Sequence, residues 1–152
     1  MHNLASVHHD QGRHDEAIAL LRKVVEARSR TLGADHPRTL VSRNNLARQL
    51  EQRGELGEAE TMLRSVVEAA LRTLPQGHPQ TTVHRRNLAR LLLRSDRFAE
   101  ALPLLELCLQ EMAAQFGDEP ESVQEVRRMV DQARRRVGPA QGVAPAEADH
   151  AR

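Results

Sequence analysis

Arg86, Arg90 and Arg94 stand four residues apart, so on a helix their guanidinium groups form a single stripe. A guanidinium is a planar fork of donors that fits a carboxylate. Arg48 stands 42 residues before Arg90. At the same interval recur Asn3, Asn45 and Asn87. A side-chain amide donates and accepts at once, which suits an extended main chain whatever its sequence. These residue types predict recognition of acidic groups and of peptide backbone, with no bond made or broken.

Other residues that carry chemistry form no complete set. His2, His8, His9 and His14, with Asp10, crowd the first turns. His2 and His9 share a helix face, yet no cysteine or second carboxylate completes a metal site, and they read as solvated histidines. Cys108 lies on an apolar stripe with Leu104 and Leu105 and reads as a small core residue. The chain has no phosphate-binding glycine loop, no HExxH, no GxSxG and no CxxC. No enzyme activity, metal or cofactor is expected.

Charge and composition narrow the partners. With 22 basic and 21 acidic residues the net charge is +1, which argues against a dedicated nucleic-acid binder. Aromatic residues are 1% of the chain, which argues against stacking on single strands and against an all-β fold. One cysteine makes no internal disulfide, so a reducing, cytoplasmic setting is expected. No run of 18 apolar residues exists to span a membrane. Ala, Leu, Arg, Glu and Gln dominate, and these are good helix formers.

The elements that position the arginines come as copies. Asn3-Leu4-Ala5 recurs as Asn45-Leu46-Ala47 and Asn87-Leu88-Ala89. In the same register Glu16-Ala17 becomes Glu58-Ala59 and Glu100-Ala101, and Leu20-Leu21 becomes Met62-Leu63 and Leu104-Leu105. Gly12 and Gly54 correspond, with Asp96 in the third copy. His36-Pro37 and His78-Pro79 hold the register, and in the third copy a one-residue deletion brings Pro120 one position early. Each copy reads as two helices. Pro37 suits a first helical turn, Gly54 suits a helix end, and a short loop between helices makes them antiparallel. One such pair cannot bury its apolar face alone, so copies must stack.

This pattern resembles the tetratricopeptide repeat, and in particular the 42-residue variety of kinesin light chains and many bacterial signalling proteins. Its most specific stretch is Thr31-Leu32-Gly33-Ala34-Asp35-His36-Pro37-Arg38-Thr39-Leu40. The resemblance implies an all-α, right-handed α-solenoid of antiparallel helix pairs: three repeats over about 1–36, 37–78 and 79–118, then a capping helix over 119–137. Residues 138–152, rich in Ala, Pro and Gly, read as a disordered tail. Departures are an aromatic-poor core, Pro103 inside the third second-helix, where a kink or late start is expected, and a short first helix in copy one.

The resemblance also implies that first helices line a concave groove. Pro37 to Arg53 carries Arg38, Arg43, Arg48 and Arg53 against Glu51, and Pro79 to Arg97 carries five arginines against Asp96. The second helices are acidic. The expected site is therefore a basic groove for an acidic peptide. Asn3, Asn45 and Asn87, which hydrogen-bond peptide backbone in similar repeats, would hold the main chain. Arg48, Arg86, Arg90 and Arg94 would hold acid groups. Reversing Arg48, Arg90 and Arg94 to Glu is expected to leave helicity intact and abolish binding. The alternative is a regulatory or scaffold segment of a larger bacterial signalling protein, a kinase or NTPase, acting on its own catalytic domain. Self-association through the incomplete first helix is a third reading.

Overall fold

The computed structural model describes the backbone of residues 2–138 and the side chains of residues 12–138. The expected tail therefore lies almost wholly outside the described residues. Six helices succeed one another: α1 (His2–Leu32), α2 (Pro37–Arg53), α3 (Leu56–Thr73), α4 (Pro79–Arg94), α5 (Phe98–Phe116) and α6 (Glu121–Val137), with no strand among the described residues. Each helix packs on the next in sequence, so the architecture is an α-solenoid. The first helices α2 and α4 also touch each other directly, and α3 and α5 have no comparable contact. The first helices therefore sit on the inside of the curve.

Local chemistry sets the helix ends. His36 and His78 cap α2 and α4, each ring accepting at Nδ1 from a backbone N–H, of Arg38 at 3.2 Å and Gln80 at 3.1 Å. Pro37 and Pro79 open those helices, where a missing N–H costs nothing. Gly54 turns the chain with φ 92°, and the Glu55 N–H donates to the Leu50 carbonyl at 2.9 Å. In the next copy Asp96 makes the same turn at φ 56°, and the Arg97 N–H donates to Leu92 at 2.9 Å. Asp tolerates this left-handed geometry better than most residues do. Pro103 lies inside α5, which starts at Phe98, so the late start does not occur.

Small aliphatic side chains build the core. Leu46 and Leu50 of α2, Leu63 of α3, Leu88 and Leu92 of α4, Leu105 of α5 and Val126 and Val130 of α6 belong to one buried cluster. Each buried leucine contributes roughly 1.5–3 kcal/mol, so numbers replace aromatic bulk. Cys108 is fully buried here, and burial pushes its thiol up to about 11.

Ion pairs repeat with the copies. Arg22 meets Glu58 at 2.7 Å, and Arg64, its 42-residue equivalent, meets Glu100 at 3.0 Å. The third copy reverses the sign: Glu106 fills the arginine's place and Arg134 of α6 meets it at 2.8 Å. Such exposed pairs add well under about 1 kcal/mol each and serve register more than stability. Around Glu60, burial pushes the carboxyl up, but hydrogen bonds from Arg97 and Arg64 outweigh it and hold it below its ordinary range.

The first copy corrects the expectation of a hairpin. Helix α1 runs without a break through Gly12, which takes no positive φ. The turn after α2 is held by Leu50 and Glu51, both buried, and their equivalents here are His8 and His9. Two histidines offer less apolar area to hold a helix folded back. An unbroken helix keeps its backbone bonds, at a cost of only about 1 kcal/mol for a glycine in mid-helix.

Candidate partner-binding groove

The facing sides of α2 and α4 enclose a groove of about 300 Å³. Its walls carry Asn45, Arg48, Arg86, Asn87 and Arg90, with His84 also in the lining and no acidic residue. Five of the seven residues expected to bind a partner are thus brought together. Helix spacing alone explains their alignment on each helix. Direct packing of α2 on α4 brings the two helices' sets to one cleft.

The structure sorts these residues. Arg48 and Asn45 are exposed. Arg86 is partly exposed, and neither it nor Arg48 makes an ion pair among the described residues. Asn87 differs from its repeat equivalent Asn45: it is buried, and its Nδ2 donates to Asn44 Oδ1 at 3.0 Å. One amide bond expected for a ligand is therefore used between helices. The reason is positional. Asn87 faces α2, whereas among the described residues no first helix packs over Asn45. Asn3 lies outside the residues whose side chains are described.

Arg90 and Arg94 are not free cations. Glu51, almost fully buried on α2, receives Arg94 Nη1 at 2.8 Å and Arg90 Nη2 at 3.3 Å. Arg94 lies beyond the groove, in the neighbouring cleft between α4 and α6 with Met129 and Gln132. The predicted stripe is real in geometry and partly neutralised in charge. Only an alignment of Glu51 with residues 39 and 43 positions later could have revealed this from sequence.

A second pair, between a buried arginine and a half-buried carboxylate, is hidden in the sequence for the same reason. Arg85 Nη1 donates to Glu111 Oε2 at 2.7 Å, and Thr82 Oγ1 donates to the same oxygen at 2.6 Å. By sequence Glu111 reads as a solvated acid on α5. Near it lies a small apolar pocket of about 110 Å³ between Pro79, Val83, Met112 and Phe116, with Arg86 at its edge. Arg86 and Val83 line both this pocket and the groove.

His84 is 1% exposed and neither ring nitrogen has a hydrogen-bond partner among the described residues. Its repeat equivalent Ser42 receives Arg28 Nη1 at 2.6 Å, but Arg28's own equivalent is Ala70, which offers no donor. Burial alone lowers the imidazole to about 4, so the ring is neutral at ordinary pH. Among the remaining histidines, His14 Nδ1 lies 2.9 Å from Gln49 Oε1. His2, His8 and His9 fall outside the described side chains. No group of three metal-ligating residues occurs among the described residues.

Stacked helix pairs with a groove on the inner helices define a helical repeat protein of the interaction class. Comparison with known proteins makes the family explicit. Models of the tetratricopeptide repeat match residues 1–72 and 82–106. The two stretches cover well over half of the chain, which belongs to the tetratricopeptide repeat family. No curated protein matches it. Among solved structures it is similar to the nearly identical TPR-like repeats of a kinesin light chain-like protein of Podosopora anserina, at 31% identity and a TM-score of 0.79, over 90% of this chain and 65% of that one. A point variant of the same protein aligns at 31% identity and a TM-score of 0.76, over 87% and 62%. The chain thus spans slightly less than two thirds of the structures it matches. Tetratricopeptide repeats mediate protein–protein interaction, typically as non-enzymatic scaffolds. Among the described residues no helix is long and apolar enough to cross a membrane.

Proposed function

We propose that this chain is a non-enzymatic interaction module whose α2/α4 groove binds an acidic peptide segment. The observation that carries this reading is the lining itself: three arginines and no acid around a cleft of about 300 Å³. A concave surface of one sign concentrates its field on an oppositely charged ligand. Arg48 and Arg86 are the principal anchors, because among the described residues neither forms an ion pair. Arg90 contributes the part of its guanidinium not held by Glu51, and Asn45 contacts ligand backbone. Asn87 shapes the wall. The acidic segment belongs either to a separate protein or to another part of a longer polypeptide; the groove chemistry is the same. On this reading residues 1–137 act as one repeat domain and the later residues as a tail. A reducing, cytoplasmic setting is supported by the lone, buried Cys108.

The test is a displayed random-peptide library panned on the full chain and on its Arg48→Glu, Arg86→Glu variant. Peptides enriched by the parent should carry an excess of Asp and Glu. They should bind the variant at least tenfold more weakly and lose affinity as salt rises. Enrichment without an acidic excess, or equal binding by both proteins, overturns the reading.

A further inference from the structure

Among the described residues no first helix is seated against α1, although the notch that would seat one is preformed. In α3 the residues Ala59, Leu63, Val66 and Ala69 are buried to 1% exposure or less. Their equivalents in α1 are Ala17, Leu21, Val24 and Ala27, of which the first three are only partly buried and Ala27 is exposed. Leu20 is 64% exposed, whereas its equivalents Met62 and Leu104 pack against the core. The difference has one cause. α3 packs on α2 and α5 on α4 before it, whereas among the described residues no first helix packs on that side of α1.

The sequence supplies a helix of the right kind. Asn3-Leu4-Ala5 lies in repeat register with Asn45-Leu46-Ala47 and Asn87-Leu88-Ala89, whose leucines and alanines are buried first-helix residues. In its own chain that segment continues α1 in a straight line through Gly12, and so leads away from the notch. We infer that the notch is filled by the same segment of a second copy. Two molecules exchange their first helices, their α1 helices running antiparallel about a twofold axis near Gly12. A hairpin that opens at its turn re-forms the same contacts between chains, which is the usual route of domain swapping. The exchange is isologous, so each copy both gives and receives a helix.

Light scattering coupled to size exclusion, run on the full chain over a range of concentrations, reads the outcome directly. The parent should elute at twice the 17.0 kDa chain mass. Leu20→Arg changes a side chain that the monomer leaves in water, so circular dichroism should be unchanged while the mass halves. His14→Pro breaks the long helix, yet it falls where the equivalent Leu56 opens α3, a first-turn position that accepts proline; it should also give a monomer, with its first helix closed on its own α1. A parent that stays monomeric throughout overturns the proposal and leaves the notch to a different partner. A dimer that survives either substitution overturns the swapped geometry. None of these residues lines the acidic-peptide groove, so failure here is separate from failure there.

Discussion

Glu51 and Arg94, one on α2 and one on α4, meet at 2.8 Å with the carboxylate only 4% exposed. This contact changes what charge reversal on α4 would mean. Replacing Arg90 and Arg94 by Glu sets new negative charge beside a buried carboxylate that has lost both its partners. Breaking a buried pair from one side costs about 3–5 kcal/mol. The double variant should therefore unfold at clearly lower urea. Arg48→Glu with Arg86→Glu should stay within about 0.5 kcal/mol of the parent, as unpaired surface positions do. A single urea series compares the two. It also tests the expectation that a triple reversal of Arg48, Arg90 and Arg94 leaves helicity intact.

Glu111 should behave as a core residue despite its place among the acids of α5. Glu111→Ala strands the buried Arg85 guanidinium and leaves Thr82 without its acceptor. A loss of roughly 3 kcal/mol in denaturant unfolding is expected. Glu111→Gln keeps an acceptor for both donors and should cost less. Equal small losses for both variants would show that Arg85 finds water instead.

His84 makes stability depend on pH in a defined window. The unfolded chain binds a proton at the ordinary value of 6.5, while the folded ring resists until about 4. Stability is therefore complete above about 6.5 and falls as pH drops toward 4. The total is roughly 3 kcal/mol, at about 1.4 kcal/mol per unit. His84→Leu should flatten the curve between pH 6.5 and 5, above the range where most carboxylates titrate. An unchanged slope in that variant would assign the effect to other groups.

Sequence alone determined the family, the helical class and the register of the copies, because these rest on local spacing. A 42-residue recurrence of Asn-Leu-Ala, a helix-opening proline after a recurring histidine, and a helix-ending Gly54 can all be read from residue types and their spacing. The stripe of Arg86, Arg90 and Arg94 was legible for the same reason, since residues four apart on a helix must align. What the stripe does was decided only by tertiary packing. Glu51 neutralises Arg90 and Arg94, Asn44 takes a bond from Asn87, and Ala70 leaves His84 without a donor. Each of these involves residues 14 to 43 positions apart that meet only when neighbouring helices stack. The fate of Gly12 was likewise a tertiary matter. Its sequence position matches Gly54, but a turn forms only where enough apolar surface holds the returning helix in place.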